Sequence, residues 1–333
     1  MAVGYSPART HPQTLTERWD GTRWSWVGSP NTRGTEGSFL NAVSCVSATF
    51  CMAVGYQDTG HADQTLTERW DGSRWHLASS PNTGGIQSNG LNGVSCISAA
   101  FCMAAGSHSS GGGPGQTLTE RWDGGRWHLV NSPNASTHGS FLIGVGCVSA
   151  AFCMAAGAYN SRGHGQPLTE KWDGTRWSLV RSPNPGGIQN SFLGGISCTS
   201  ARFCMAAGAT PDQAVTESWN GTRWLPASAR TSMTQPALYG VSCASPRFCM
   251  AAGYQFPGTH DQTVTQTWNG ARWSSLSTPD TSGTQHNALY AASCTSTTFC
   301  MAVGAYSANG MSVQTLTARW NGARWTLAPS PNH

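Results

Sequence analysis

Four short runs, some continuously apolar and others mixing apolar and polar residues, recur in each complete repeat of this chain. In the first complete repeat they cover residues 40–45, 50–55, 64–70 and 74–75. They are rich in Val, Thr, Leu and Trp, and none keeps a 3.6-residue period, so the pattern predicts four β-strands, named a, b, c and d in order. The Gly- and Pro-rich segments between them are typical of turns and argue against helices.

The repeat is marked by the motif Thr67-Glu68-Arg69-Trp70-Asp71-Gly72-Ser73-Arg74-Trp75. It occurs seven times, with its last Trp at 24, 75, 127, 177, 224, 273 and 325. Four antiparallel strands per repeat of about 50 residues are typical of a β-propeller blade. We therefore predict an all-β fold, a seven-bladed β-propeller of four-stranded antiparallel blades in a single domain over 1–333, with six blades as the alternative. The repeat units cover about 1–37 (partial), 38–88, 89–139, 140–190, 191–235, 236–286 and 287–333.

The first repeat is incomplete. The Met-Ala-Val/Ala-Gly run of strand b occurs seven times, whereas the Leu-x-x-x-x-Cys run of strand a occurs six times. Residues 1–31 provide only strands b, c and d, so we expect the first blade to lack its innermost strand. No export signal precedes Met1. We therefore expect the natural chain to extend upstream, with the missing strand and the signal.

The 12 cysteines form six pairs, each with five residues between the two thiols. An even number at one fixed spacing predicts disulfides and an oxidising compartment. Zinc is the alternative, but its ligands usually stand about two to four residues apart. Each bridge would join strands a and b across a short turn, where facing Cα atoms lie about 4.5–5.5 Å apart. The predicted bridges are Cys45–Cys51, Cys96–Cys102, Cys147–Cys153, Cys198–Cys204, Cys243–Cys249 and Cys294–Cys300.

Three short elements carry a resemblance to known repeats: Leu91-x-x-Val94, Ala104-Ala105-Gly106 and Asp123-Gly124-x-x-Trp127. With their counterparts they make the chain resemble the BNR and photosystem-II-assembly-factor type of propeller repeat. It also resembles Cys-paired repeat proteins of exported bacterial sequences. The segment from Asp123 to Trp127 is one residue shorter than in the family's Ser-x-Asp-x-Gly-x-x-Trp box, so neither a sialidase nor a chlorophyll-protein function is carried over.

The Trp-Asp-Gly turn between strands c and d allows two hairpin registers. A two-residue loop would set Arg69 opposite Arg74, and like charges in facing positions are unfavourable. A three-residue loop with Gly in the left-handed region would pair Glu68 with Arg74 instead. We favour the second register.

Charge and candidate chemistry argue against several function classes. Charged residues make up 10% of the chain, and 12 of its 19 basic residues lie in the hairpin motif, spread over the repeats. This distribution argues against a concentrated basic patch for nucleic acid. Most acids belong to the motif, where Asp changes to Asn in later copies and so fits a turn better than proton transfer. Glu36, Asp58 and Asp280 are too scattered for an acid/base pair.

Variation is concentrated in the b–c and d–a connections, which in a four-stranded meander emerge on the same face. Loops on a rigid scaffold are where binding residues usually lie. Aromatic and histidine side chains in the b–c loops are therefore the candidate ligand-binding residues: Tyr56, His61, Tyr159, His164, Tyr254, Phe256, His260 and Tyr306. The histidines belong to different blades, so no metal site is predicted.

We predict an exported recognition module at the cell surface or outside the cell. Its partner would be a glycan, the first candidate, or an extracellular protein. The alternative is a structural or interaction domain of a larger surface protein, and a glycoside hydrolase or lyase is least favoured. No apolar run has transmembrane length. Membrane insertion, nucleic acid, cofactors and catalytic residues are not predicted.

Overall fold

The computed structural model describes residues 1–7, 11–32, 35–84, 87–184, 187, 189–227, 234–307 and 313–331. These residues form 27 strands in seven antiparallel sheets, one sheet for each sequence repeat. The first sheet has three strands, β1–β3, and each of the other six has four, in the order a, b, c, d. The predicted seven-bladed β-propeller, with a first blade that lacks its innermost strand, is confirmed, and the six-bladed alternative is wrong.

The strands of blades 1 to 4 are β1 (Ala2–Ser6), β2 (Gln13–Trp19), β3 (Trp24–Trp26), β4 (Gly37–Ser47), β5 (Phe50–Asp58), β6 (Asp63–Trp70), β7 (Trp75–Leu77), β8 (Gln87–Ser98), β9 (Phe101–Ser110), β10 (Gln116–Trp122), β11 (Trp127–Val130), β12 (Ser140–Ser149), β13 (Phe152–Ser161), β14 (His164–Trp172) and β15 (Trp177–Val180). Those of blades 5 to 7 are β16 (Phe192–Ser200), β17 (Phe203–Ala209), β18 (Ala214–Trp219), β19 (Trp224–Pro226), β20 (Ala237–Ser245), β21 (Phe248–Gln255), β22 (Gln262–Trp268), β23 (Trp273–Leu276), β24 (His286–Ser296), β25 (Phe299–Ser307), β26 (Val313–Trp320) and β27 (Trp325–Leu327).

The chain divides into two compact units. The first unit contains Met1–Ser161 and Leu168–Val180, and the second contains Arg162–Pro167 and Arg181–His333. Blades 1 to 3 lie in the first unit and blades 5 to 7 in the second. Each unit is described by itself below.

Strand b is apolar on both faces because blades pack on each side of it. In blade 3 Ala104 lies in one apolar cluster with Val54 of blade 2, and its neighbour Ala105 lies in another with Leu142 of blade 4. A strand buried on both faces is continuously apolar, and small side chains allow a close approach. The paired tryptophans of strands c and d, such as Trp122 and Trp127, complete the same clusters.

All six predicted disulfides are present, so the zinc alternative is wrong for these cysteines. Their facing Cα atoms are 3.9 to 4.0 Å apart, closer than expected. The register shifts between each strand-a Cys and the second residue after it, as between Cys45 and Ser47. No described cysteine is free. Six bridges of this kind are typical of a protein from an oxidising compartment.

The c–d hairpin differs from both predicted registers. Trp70 faces Trp75 across a four-residue loop, and Glu68 faces Leu77. Asp71 closes the loop from inside, because its Oδ1 accepts hydrogen bonds from the backbone N–H of Ser73 at 2.8 Å and of Arg74 at 2.9 Å. The Glu68–Arg74 pairing is therefore wrong. Ring packing between the two tryptophans, 5.7 Å apart, takes its place across the strands.

The strand-c glutamates are buried between blades. Ser80 Oγ of blade 2 donates a hydrogen bond of 2.7 Å to Glu120 Oε2 of blade 3, and Glu120 Oε1 has no partner among the described residues. Burial raises the pKa of Glu120 to about 8, so the carboxyl keeps its proton near neutral pH. The same contact is made by Ser29 and Glu68, Ser132 and Glu170, and Ser182 and Glu217.

Candidate binding site

Strand a has a β-bulge in every complete blade, and the extra residue carries a side chain in all of them except blade 5, where it is Gly194. In blade 6 the register shifts between Leu238 and Gly240, so Tyr239 has no facing residue on strand b. Gly253 permits this, because a Cβ on it would lie 1.8 Å from the carbonyl oxygen of Ala237. A bulge re-aims the side chain of its extra residue. Tyr290 of blade 7 lies at the same point, between Leu289 and Ala291.

These bulges gather four aromatic rings in the second unit, which we name the tyrosine cluster: Phe192, Tyr239, Tyr254 and Tyr290. Tyr239 is central. Its ring stacks on that of Tyr254 at 5.6 Å and 16°, meets Tyr290 edge-on at 6.1 Å and lies 5.7 Å from Phe192. The Tyr239 and Tyr254 hydroxyls lie 3.3 Å apart. Tyr290 is 52% exposed, so the cluster reaches the surface.

Polar groups stand beside the tyrosine cluster. Asp261, in the b–c loop of blade 6, accepts a hydrogen bond of 2.9 Å from the Asn287 backbone N–H through its carbonyl oxygen. That bond holds the start of strand a of blade 7 against the loop, and it brings His286 Nδ1 within 3.1 Å of Asp261 Oδ2. Burial raises the pKa of Tyr239 well above its usual value, and the hydrogen bond with Tyr254 and, to a smaller extent, the Asp261 charge act in the same direction. The Tyr239 phenol is therefore neutral at physiological pH.

A smaller aromatic group lies in the first unit. Phe39 stacks on Tyr56 at 4.7 Å and 15°, and Tyr5 meets Phe39 edge-on at 4.9 Å. Tyr5 is 54% exposed. Burial and the neighbouring carboxylate of Asp63 raise the pKa of the Tyr56 phenol. Asp63 faces Asp58 across the b–c hairpin. Burial and the neighbouring Asp58 charge both raise the pKa of Asp63.

The eight candidate residues from the sequence do not form one group. Tyr254 lies in the tyrosine cluster, and the His260 ring is 6.4 Å from that of His286 beside it. Tyr56 belongs to the group in the first unit. The other five candidate residues belong to neither group. His61, His164 and Phe256 occupy exposed positions in loops or at strand ends. Tyr159 and Tyr306 are half-buried and pack on apolar clusters that blades 3 and 4, and blades 6 and 7, respectively share.

Sequence reasoning missed the residues of strand a. Tyr239 and Tyr290 directly follow the constant Leu of that strand, and Phe39 and Phe192 directly precede it. These two positions vary between repeats while the Leu between them does not. That local variation is the signal that would have found them.

Two further observations limit the chemistry. Within the described ranges, no three His, Cys, Asp or Glu side chains are placed to hold a metal ion. In that same part of the chain, no helix has the length and apolar composition needed to cross a bilayer. The tyrosine cluster offers flat aromatic surface with one carboxylate and one imidazole at its border.

No protein-family model matches the chain, and no curated protein matches its sequence. Its fold is similar to that of YCF48 bound to D1 peptide, with a TM-score of 0.54 and 13% identity over 93% of this chain and 86% of that one. YCF48 from Cyanidioschyzon merolae is similar with a TM-score of 0.52 and 12% identity over 90% of this chain and 87% of that one.

A GH74 xyloglucanase from Xanthomonas campestris has a TM-score of 0.57 and 13% identity over 97% of this chain. This chain spans 52% of the xyloglucanase, about half of its length. At such low identities the likeness shows the fold alone. The resemblance to photosystem-II-assembly-factor repeats therefore holds for the β-propeller fold.

Proposed function

We propose that this protein is an exported recognition module that binds a carbohydrate at the tyrosine cluster. The observation that carries the proposal is the convergence of Tyr239, Tyr254 and Tyr290 from three strands beside Asp261 and His286. Residues from two blades meet there at a partly exposed surface. The six disulfides support export, because such bridges persist in oxidising compartments.

The chemistry of the tyrosine cluster fits a sugar. An aromatic face packs on the apolar C–H face of a pyranose, and the half-exposed Tyr290 provides such a face. Asp261 Oδ2 and the His286 imidazole would accept and donate hydrogen bonds to sugar hydroxyls at its edge. A mainly aromatic surface with a few placed polar groups is typical of small-ligand sites.

Protein recognition is the second candidate, as an interaction domain of a larger surface protein. It is favoured by one observation: YCF48, a protein of similar fold, is described bound to D1 peptide. Glycoside hydrolysis is less favoured, although a similar fold occurs in a GH74 xyloglucanase. Most such enzymes need two carboxyls about 5–10 Å apart, whereas the side chain that contacts the Asp261 carboxylate is the His286 imidazole.

The test is binding to an array of neutral glycans, followed by affinity measurements with Tyr290→Ala and Trp26→Ala. Trp26 is the matched control, since it is 54% exposed and lies on the outermost strand of blade 1. We expect Tyr290→Ala to weaken glycan binding about tenfold or more, because a stacked aromatic face is lost, and Trp26→Ala to leave it unchanged. Equal effects of the two substitutions, or binding of peptides alone, would contradict the carbohydrate proposal.

A further inference from the structure

The two ends of each blade in the second unit differ in charge. One end, which we name the turn end, contains the a–b turn and the c–d turn of the blade. The two turns touch there, because a Cβ on Gly221 would lie 3.4 Å from Arg202 Cα and a Cβ on Gly270 would lie 3.1 Å from Arg247 Cγ. The Trp219 indole also donates a hydrogen bond of 3.1 Å to the carbonyl of Ala201 in the a–b turn.

Six arginines lie at the turn ends of blades 5 to 7. Two come from a–b turns, three from c–d turns and one from the end of a strand c: Arg202, Arg247, Arg223, Arg272, Arg324 and Arg319. All six are exposed, and none forms an ion pair within the described residues. The guanidinium of Arg319 lies over the ring of Phe299 at 5.5 Å, which holds that arginine against its blade.

No acidic side chain offsets these charges. Residues 181–333 contain four acids, namely Asp212, Glu217, Asp261 and Asp280. Glu217 is buried, and the other three lie at the opposite end of their blades, next to strand starts or in the loops. The turn end of blades 5 to 7 therefore carries six positive charges and no carboxylate side chain.

The reason lies in one position of the hairpin turn. In blade 5 Asn220 Oδ1 accepts hydrogen bonds of 3.0 Å from the backbone N–H of Thr222 and of Arg223. In the first unit Asp20 makes the same two bonds and also lies 3.7 Å from the guanidinium of Arg23. Asn at 220, 269 and 321 keeps the turn but removes the negative charge.

We propose that the turn end of blades 5 to 7 binds an acidic polysaccharide. Arginine presents a planar fork that matches carboxylate, sulfate and phosphate groups. Each of the three successive blades presents two arginines at this end, which suits a polymer with repeating anionic groups. Among the described residues of blades 5 to 7, the large exposed aromatic side chains are Phe256 and Tyr290, and both lie away from the turn end. The turn end therefore offers no exposed aromatic ring on which bases could stack. The disulfides also favour an extracellular partner over nucleic acid.

The first test compares two triple variants that change net charge equally. One is Arg202→Gln, Arg247→Gln and Arg272→Gln, and the control is Arg74→Gln, Arg126→Gln and Arg176→Gln, at turns that contain an aspartate. Binding of fluorescent polygalacturonate and dextran sulfate is measured by anisotropy at low and physiological salt. We expect the first variant to bind about 30-fold or more weakly and the control about threefold or less, because only the first removes direct contacts. Equal losses would overturn the proposal.

The second test restores the missing charge. Asn220→Asp, Asn269→Asp and Asn321→Asp should weaken polysaccharide binding about tenfold and leave the thermal midpoint unchanged, since Asp forms the same turn in the first unit. Unchanged binding would count against the site. A single-stranded oligonucleotide that binds as tightly as either polysaccharide would overturn the choice of ligand. Tyr290→Ala must bind both polysaccharides normally, which separates this inference from the proposed function.

Discussion

At the scale of single residues, the role of an acid depends on where its side chain is buried. Asp71 was expected to serve the turn, and its two backbone hydrogen bonds confirm that role. Glu68 was expected to pair with Arg74, but it lies in the interface between blades and accepts a hydrogen bond from Ser29 at 2.6 Å. Both acids belong to the same nine-residue motif, from Thr67 to Trp75, and lie three residues apart. Only the packing of the preceding blade distinguishes a buried neutral carboxyl from a surface ion pair.

The buried glutamates make stability depend on pH. Burial raises the pKa of Glu68 to about 7 and of Glu120 to about 8, above the value of about 4.3 in the unfolded chain. The folded protein binds more protons than the unfolded chain in this range. The contribution of these glutamates to the free energy of unfolding is therefore greatest below about pH 4 and falls as the pH rises to about 8, by on the order of 5 kcal/mol for Glu120.

Urea unfolding at a series of pH values measures this fall. Glu120→Gln should reduce the slope of the unfolding free energy against pH, because glutamine does not titrate. Glutamine fits this position, since blade 6 has Gln266 at the same point of its strand c. Asp123→Asn is the control, because backbone hydrogen bonds hold the pKa of Asp123 well below its usual value. Asp123 is therefore ionised over the whole of this pH range. A Glu120→Gln protein with the slope of the wild type would contradict the assignment.

At the scale of elements, the a–b hairpin combines a disulfide at one end with a bulge at the other. The disulfide was predicted from the constant spacing of the cysteines. The bulge was not, because a register shift depends on both strands at once. The bulge requires a glycine on strand b, because a Cβ on Gly106 would lie 1.9 Å from the carbonyl oxygen of Gly90.

Gly106→Ala should therefore destabilise the protein by about 2 kcal/mol or more, because the new methyl group forces the two strands apart. Gly84→Ala is the matched control, since a Cβ at Gly84 would meet nothing within 4 Å. Denaturant unfolding of both variants measures the difference. A Gly106→Ala protein as stable as the control would show that the bulge adapts without strain.

At the scale of the whole molecule, the repeated strands form the scaffold, and the side chains that differ between blades lie in the b–c and d–a loops, at the strand ends beside them and at the strand-a bulges. Blades 5 and 6 share strand registers, with Cys204 facing Trp219 and Cys249 facing Trp268. Their b–c loops differ in length and in aromatic content. Scaffold and recognition should therefore be separable.

Replacing Tyr254–Asp261 of blade 6 by Ala209–Asp212 of blade 5 tests this separation. We expect glycan binding to be lost, because Tyr254 and its stacking on Tyr239 are removed. The thermal midpoint should shift by only about 2–4 °C or less, since loops tolerate length changes. Circular dichroism melting and glycan affinity are the two measurements. A large loss of stability with intact binding would be the opposite result.

The sequence by itself predicted seven blades and a three-stranded first blade from the number of times each run recurs, and it predicted the strand order and the disulfides from spacing within one repeat. Periodicity and Cys spacing are local properties of the sequence, and they recur in every complete repeat. For the candidate site it identified Tyr254 and His260 through loop variation, but not Tyr239, Tyr290 or His286.

Only the tertiary structure decided which side chains meet. Tyr239 and Tyr290 are 51 residues apart in sequence, yet their rings lie 6.1 Å apart, because each is the extra residue of an equivalent bulge in adjacent blades. Basic residues that are spread evenly along the sequence likewise collect at the turn ends, because every repeat places its two turns at the same end. Burial of Glu120 against Ser80 depends on the preceding blade in the same way. Contacts between repeats are non-local, so spacing within a repeat does not reveal them.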